Sequence, residues 1–155
     1  ALFQRQVAQA VHIPVFISSL LQVPFVHRIL PPGRSVGIIT ANKAQLTSEH
    51  FESVGITPDM PVVVYGMEDQ DEFRTSILDE KGTLDSDLIE KEVCGVASRM
   101  KEENPNLGAV LLECSDLPPY AAAIQKVTDL PVFDFITMIN HVHSAVCRTR
   151  YSGFM

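Results

Sequence analysis

Short apolar runs ending in polar residues or glycine alternate along this chain with longer stretches in which apolar residues recur every three to four positions. The runs at 13–17, 35–40, 61–66, 109–113 and 130–133 are predicted to be strands, and the helical patterns fall at 2–10, 19–30, 47–54, 85–103, 120–127 and 136–148. The longest helix shows its period most clearly. Leu88, Ile89, Val93, Val96, Ala97 and Met100 form one stripe, while Asp87, Glu90, Lys91 and Lys101 take other positions. Alternation of strand and helix predicts successive βαβ units around a parallel sheet, which makes the expected fold class α/β. Gly55 stops one helix, and Pro31-Pro32-Gly33 stops another and re-aims the chain.

The pattern also echoes itself. Ile13-Pro14-Val15-Phe16 and Leu130-Pro131-Val132-Phe133 are the same strand motif at an offset of 117, each followed by an apolar helix. Upstream of them, Phe3 falls over Tyr120, Val7 over Ile124 and Ala10 over Val127. A helix–strand–helix unit is therefore expected twice, with the chain entering partway through the first copy.

Composition narrows the function classes. The chain has 155 residues, 46% of them apolar and 20% charged, which is enough to bury a core without staples. Twelve Lys and Arg stand against 19 Asp and Glu, a net charge of −7, and the cations are scattered; no nucleic-acid partner is expected. Residues 11–30 are as long as a membrane span but carry His12, Gln22, His27 and Arg28 with Pro14 and Pro24, so no membrane partner is expected either. Cys94, Cys114 and Cys147 are odd in number and irregularly spaced, which fits neither a disulfide framework nor a zinc ribbon. A reducing, cytoplasmic compartment is expected.

Candidate chemistry gathers at strand ends. Cys114 stands where the 109–113 strand runs out, and in an open parallel sheet the ligand crevice lies beyond the carboxyl ends of strands. Pro118 and Pro119 suit the first turn of a following helix, with Ser115 or Asp116 as its cap, and such a helix start would favour a thiolate. The competing reading of Cys114 is a small buried apolar residue. Thr40 and Asn42 end the 35–40 strand and would face the same crevice, as partners for a substrate carboxylate or, for Asn42, as a local turn residue. Ser18 and Ser19 end the 13–17 strand, where capping is the simpler role. His141 and His143 fall on different faces of one helix, His143 and Cys147 make only two ligands, and Glu68-Asp69-Gln70-Asp71-Glu72 lacks calcium-loop spacing; no metal is expected. Phosphate-loop, dinucleotide and nucleophile-elbow motifs are absent, so no cofactor is expected.

The run Leu111-Leu112-Glu113-Cys114-Ser115-Asp116-Leu117-Pro118-Pro119-Tyr120-Ala121 resembles the second cysteine motif of the aspartate/glutamate racemase superfamily. Pro131-Val132-Phe133-Asp134 resembles that family's next strand, and Ser35-Val36-Gly37-Ile38-Ile39-Thr40 the strand opening its second lobe. The resemblance implies one nearly whole flavodoxin-like lobe at 32–134, a remnant of the other lobe at 1–31, and a C-terminal helix at 135–155 packing toward it. It implies a cofactor-independent racemase, isomerase or decarboxylase-type protein acting at the α-carbon of a small carboxylate or amino acid, with Cys114 as general acid/base and Thr40, Asn42, Ser115 and Asp116 binding substrate. The first Ser-Cys-Gly-Phe motif of that family has no counterpart here, and Asp116 stands where the family more often has Asn or His. The expected state is a homo-oligomer, or a chain completed by an upstream lobe. The alternative from another class is a non-catalytic ligand-binding or interaction module that keeps the fold.

Overall fold

The computed structural model describes residues 1–153. Two helices come first, α1 (Gln4–Ala10) and α2 (Gln22–Ile29), followed by β1 (Ser35–Thr40), α3 (Ser48–Ser53) and β2 (Val62–Gly66). A short α4 (Asp71–Phe73) runs into a single wide turn of π-helix at Arg74–Leu78. Then come α5 (Ser86–Glu103), β3 (Leu107–Leu112), α6 (Ala121–Thr128), β4 (Val132–Phe133) and α7 (Phe135–Val146). The strands form one parallel sheet in the order β2-β1-β3-β4, the α/β, flavodoxin-like arrangement expected. Val36 pairs with Val62 on one side and with Ala109 on the other, and Val110 pairs with Val132.

Both central strands are buried at every position, which is why they read as unbroken apolar runs. Alternation divides their side chains between two cores. Val36, Ile38, Ala109 and Leu111 pack with Leu20, Val23 and Val26 on one face. Ile39, Val110 and Leu112 pack with Ile89, Val93, Val96, Ala97, Met100 and Ile124 on the other. The helical stripe of α5 thus lies on the sheet, as its period predicts, and Asp85 caps it by accepting the N–H groups of Asp87 and Leu88. Gly37 makes room where α5 crosses β1: a Cβ there would stand 2.6 Å from Met100 Sδ, so the Met100 side chain would have to shift.

Residues 13–17 depart from expectation. They lie outside the sheet, and Ile13 is 69% exposed. The Gln4 side chain stands in for a neighbouring strand, its Nε2–H donating to Val15 O at 2.8 Å and its Oε1 accepting the Ile17 N–H at 3.0 Å. The predicted helix at 19–30 begins as a single 3-10 turn, Ser19–Leu21, because Ser18 Oγ accepts the Leu20 N–H and tightens the start. Two carboxylates organise the region between β2 and α5. Glu92 accepts the N–H groups of Glu72 and Phe73, while Glu72 accepts from Ser76 Oγ, Lys81 Nζ and the Asp85 N–H. These partners hold the Glu72 carboxyl down at about 2, the Lys81 bond contributing most. Among the described residues no helix is long and apolar enough to cross a membrane.

Candidate functional site

The chain moves outward from β1 to β2, then returns across β1 to β3 and β4. The order therefore reverses between β1 and β3, and a crevice opens at their carboxyl ends where neighbouring connections leave in opposite directions. Thr40 closes β1 and Glu113 follows β3 at this point, joined by the Glu113 N–H donating to Ile39 O at 2.8 Å.

Thr40 is only 4% exposed, and its Oγ1–H donates to Glu113 Oε2 at 2.8 Å. Thr40, Asn42 and Glu113 line a cavity of about 170 Å³ with Ala41, Gln45, Leu46 and His50. Asn42 is partly committed to its own backbone, its Oδ1 accepting the Ala44 N–H at 2.9 Å and capping the 3-10 turn Lys43–Gln45. Cys114, Ser115 and Asp116 do not line this cavity. Strand alternation explains the separation: position 113 falls on the face shared with Thr40, whereas the Cys114 side chain packs against the α5–α6 core. Glu113 is the residue that sequence reasoning missed, although its place one position before Cys114 and level with Thr40 across two paired strands was a usable signal.

Cys114 is half-buried. Its Sγ–H donates to Asp116 Oδ2 across 3.6 Å. Burial pushes the thiol up to about 11; the Asp116 N–H aimed at the sulfur pulls it down, but the Asp116 carboxylate and the more distant Glu113 charge push it up again. The expected depressed thiol is thus corrected, and the reason is local. The helix after Cys114 opens as a 3-10 turn, Pro118–Tyr120, that runs on into α6, and the two prolines of this opening turn have no N–H to offer. Leu117 donates its N–H to the Cys114 carbonyl rather than to the sulfur. Neither Ser115 nor Asp116 acts as a helix cap; both are exposed. Burial also raises Cys94, with the Glu90 charge as a second cause, and Cys147 is exposed. Ser18 caps as expected, while Ser19 Oγ–H donates to Leu112 O at 2.9 Å and ties the first segment to the end of β3. His141 stacks on Phe25, with ring centroids 6.1 Å apart.

A crevice at the point where the strand order reverses is where open parallel α/β sheets bind their ligands. Among solved structures, allantoin racemase from Pseudomonas fluorescens superposes with a TM-score of 0.54 at 12% identity, over 88% of this chain and 60% of that one. Unliganded arylmalonate decarboxylase superposes with a TM-score of 0.50 at 17% identity, over 74% and 46%. Both are likenesses of fold, and they agree with the racemase-like architecture expected. Curated relatives are more particular. Dimethylsulfoniopropionate lyase 3 of Emiliania huxleyi (strain CCMP1516) is 32% identical over 145 residues, covering 89% of this chain and 38% of that protein. Dimethylsulfoniopropionate lyase 5 of the same strain is 28% identical over 92% of this chain and 29% of that protein. The dimethylsulfoniopropionate lyase of Durusdinium sp. clade D is 28% identical over 86% and 45%. The chain spans less than half the length of these relatives. No family model matches the sequence. These relatives overturn the expectation of a racemase or isomerase, because they are named for a lyase reaction at a sulfonium compound. They give no better support to the non-catalytic module.

Proposed function

We propose that this chain forms part of a lyase that breaks the carbon–sulfur bond of a β-sulfonium carboxylate of the dimethylsulfoniopropionate type, with Cys114 as its base. The observation that carries the reading is the 32% identity to a dimethylsulfoniopropionate lyase across 89% of the chain. The chemistry suits the crevice. A Cys114 thiolate takes the proton from the carbon next to the substrate carboxylate, and the freed electron pair becomes the α–β double bond. The β-carbon–sulfur bond breaks at the same time, its pair leaves on sulfur as neutral dimethyl sulfide, and acrylate remains. The carbon acid is much weaker than a thiol, so donors at the strand ends must stabilise charge developing on the carboxylate. Ser115, next to Cys114 in the loop after β3, is the group assigned to that work; Asn42, whose side-chain NH₂ makes no hydrogen bond among the described residues, lines the neighbouring cavity with Thr40 and Glu113. The Thr40 hydroxyl, committed to Glu113, acts by holding that carboxylate in place. Residues 1–31 and α7 expose Phe3, Ile13, Phe25, Ile29, Ile136 and Val146, and this apolar side is assigned to contact with a further lobe or a second copy.

Headspace measurement of dimethyl sulfide from dimethylsulfoniopropionate tests the reading. Cys114→Ser is expected to lower the rate by roughly 10²–10⁴-fold, the usual contribution of a positioned acid/base. A folded Cys114→Ser protein that releases dimethyl sulfide at the original rate would remove Cys114 from the mechanism.

A further inference from the structure

We infer that Asp116 is the specificity-determining residue of this site: its carboxylate selects a substrate carrying a cation β to the carboxyl group, and the arrival of that cation frees the Cys114 thiol to ionise. The inference rests on the lyase reading and deepens it.

The two groups share one point in space. Asp116 Oδ2 lies 3.6 Å from Cys114 Sγ, so a group that meets one meets the other. Asp116 is exposed, and among the described residues neither it nor Glu113 forms an ion pair with Lys, Arg or His. This end of β3 therefore carries negative charge without a resident counter-ion. An anionic dicarboxylate would be repelled there, whereas a sulfonium supplies the missing positive charge.

The thiol responds to the same charges. Asp116 and Glu113 are the charged groups that bear on it, and the core cluster it packs against includes Tyr120, whose hydroxyl meets Ser86 Oγ. With burial added, the unliganded site keeps Cys114 protonated at neutral pH, and a protonated thiol is no base. A cation within a few ångströms of a buried acid favours its anionic form by roughly one to three pH units. The sulfonium then does two jobs, as the leaving group and as the charge that lets the thiol proton escape to water. Turnover reverses the sign. Dimethyl sulfide leaves neutral, and acrylate is left as an anion beside the Asp116 carboxylate, which favours its departure.

The test titrates Cys114 by thiolate ultraviolet absorbance, taking the difference from Cys114→Ser, with two non-eliminating probes. These are trimethylammoniopropionate and its isostere with a tert-butyl group in place of the ammonium. The ammonium probe is expected to move the midpoint toward neutral by roughly one pH unit or more, and the tert-butyl isostere to leave it in place or raise it. In Asp116→Asn the free midpoint is expected to fall, since one negative neighbour is gone, while the response to the ammonium probe shrinks. Affinity for that probe should drop about tenfold or more, with recovery in Asp116→Glu. Equal binding of the two probes, or an unchanged response in Asp116→Asn, overturns the inference.

Dimethyl sulfide release separates this inference from the lyase reading. If the protein releases dimethyl sulfide and Asp116→Asn keeps its kcat/KM, the lyase reading stands and the role of Asp116 falls. Should it release none while the ammonium probe still acts through Asp116, cation recognition stands and the lyase reading falls. Failure of both measurements removes both.

Discussion

The same four-residue pattern meets two fates in this molecule. In Leu130-Pro131-Val132-Phe133, Val132 and Phe133 pair with Val110 and Leu111, and the Val110 N–H donates to Pro131 O at 2.9 Å. Ile13-Pro14-Val15-Phe16 lies outside the sheet, with Ile13 in a bend and the following backbone met by the side-chain amide of Gln4. Both segments lead into an apolar helix, and both are followed by an oxygen that caps it, Ser18 Oγ in one and Asp134 Oδ1 in the other. The same strand-forming residues thus enter a sheet only where a free partner edge is offered to them.

Substitutions can break this comparison in graded steps. Leu111, fully buried beside the paired copy, should lose about 2–5 kcal/mol on change to Ala, while Ile13→Ala should stay within about 0.5 kcal/mol, as read from urea midpoints. Equal losses would mean that the sheet position facing the paired copy is no better packed than the unpaired segment. Gln4→Ala removes both bonds to the 13–17 segment and should cost about 1–3 kcal/mol, with faster hydrogen exchange at the Ile17 amide and none added at Val110. At the other copy, Asp134→Ala takes away the acceptor of the Thr137 N–H and should cost about 1 kcal/mol. A change of pH gives the smallest effect. Because Cys114 binds its proton more tightly folded than unfolded, its contribution is intact below about 9 and is lost as the pH rises toward about 11. Denaturant midpoints of the wild type should fall across that range more than those of Cys114→Ser; parallel curves would contradict the raised thiol.

Much of the architecture was legible because β1 and β3 are buried on both faces and α5 is buried on one, and each condition leaves its own period in the sequence. The 13–17 segment was misread because a period records burial and extension but not who the neighbour is. The place of Cys114 came from a strand end. Its titration did not, because two prolines remove the donors that a helix start would bring, while Asp116 and Glu113 add charge from the same loop. Glu113 escaped notice since its bond to Thr40 joins strands 73 residues apart in sequence. The motif around Cys114 spoke for proton removal beside a carboxylate, which racemases and lyases share. Whether the electron pair freed at the α-carbon is reprotonated or drives out a leaving group depends on the substituent at the next carbon, and among this chain's residues only the acid at position 116 bears on it.

Two hydrogen bonds close the structure over very long stretches of chain. Ser19 reaches Leu112 across 93 residues, and Gln22 Nε2–H reaches Asp134 O across 112. Neither acceptor exists in place until β3 and β4 have been laid against β1, and contacts of such separation give back their loop-closure entropy late in folding. During synthesis, residues 1–31 therefore emerge well before the surface that receives them. These two bonds can form only once β3 and β4 are in place, and until then the apolar side chains of that early segment are open to intermolecular contacts.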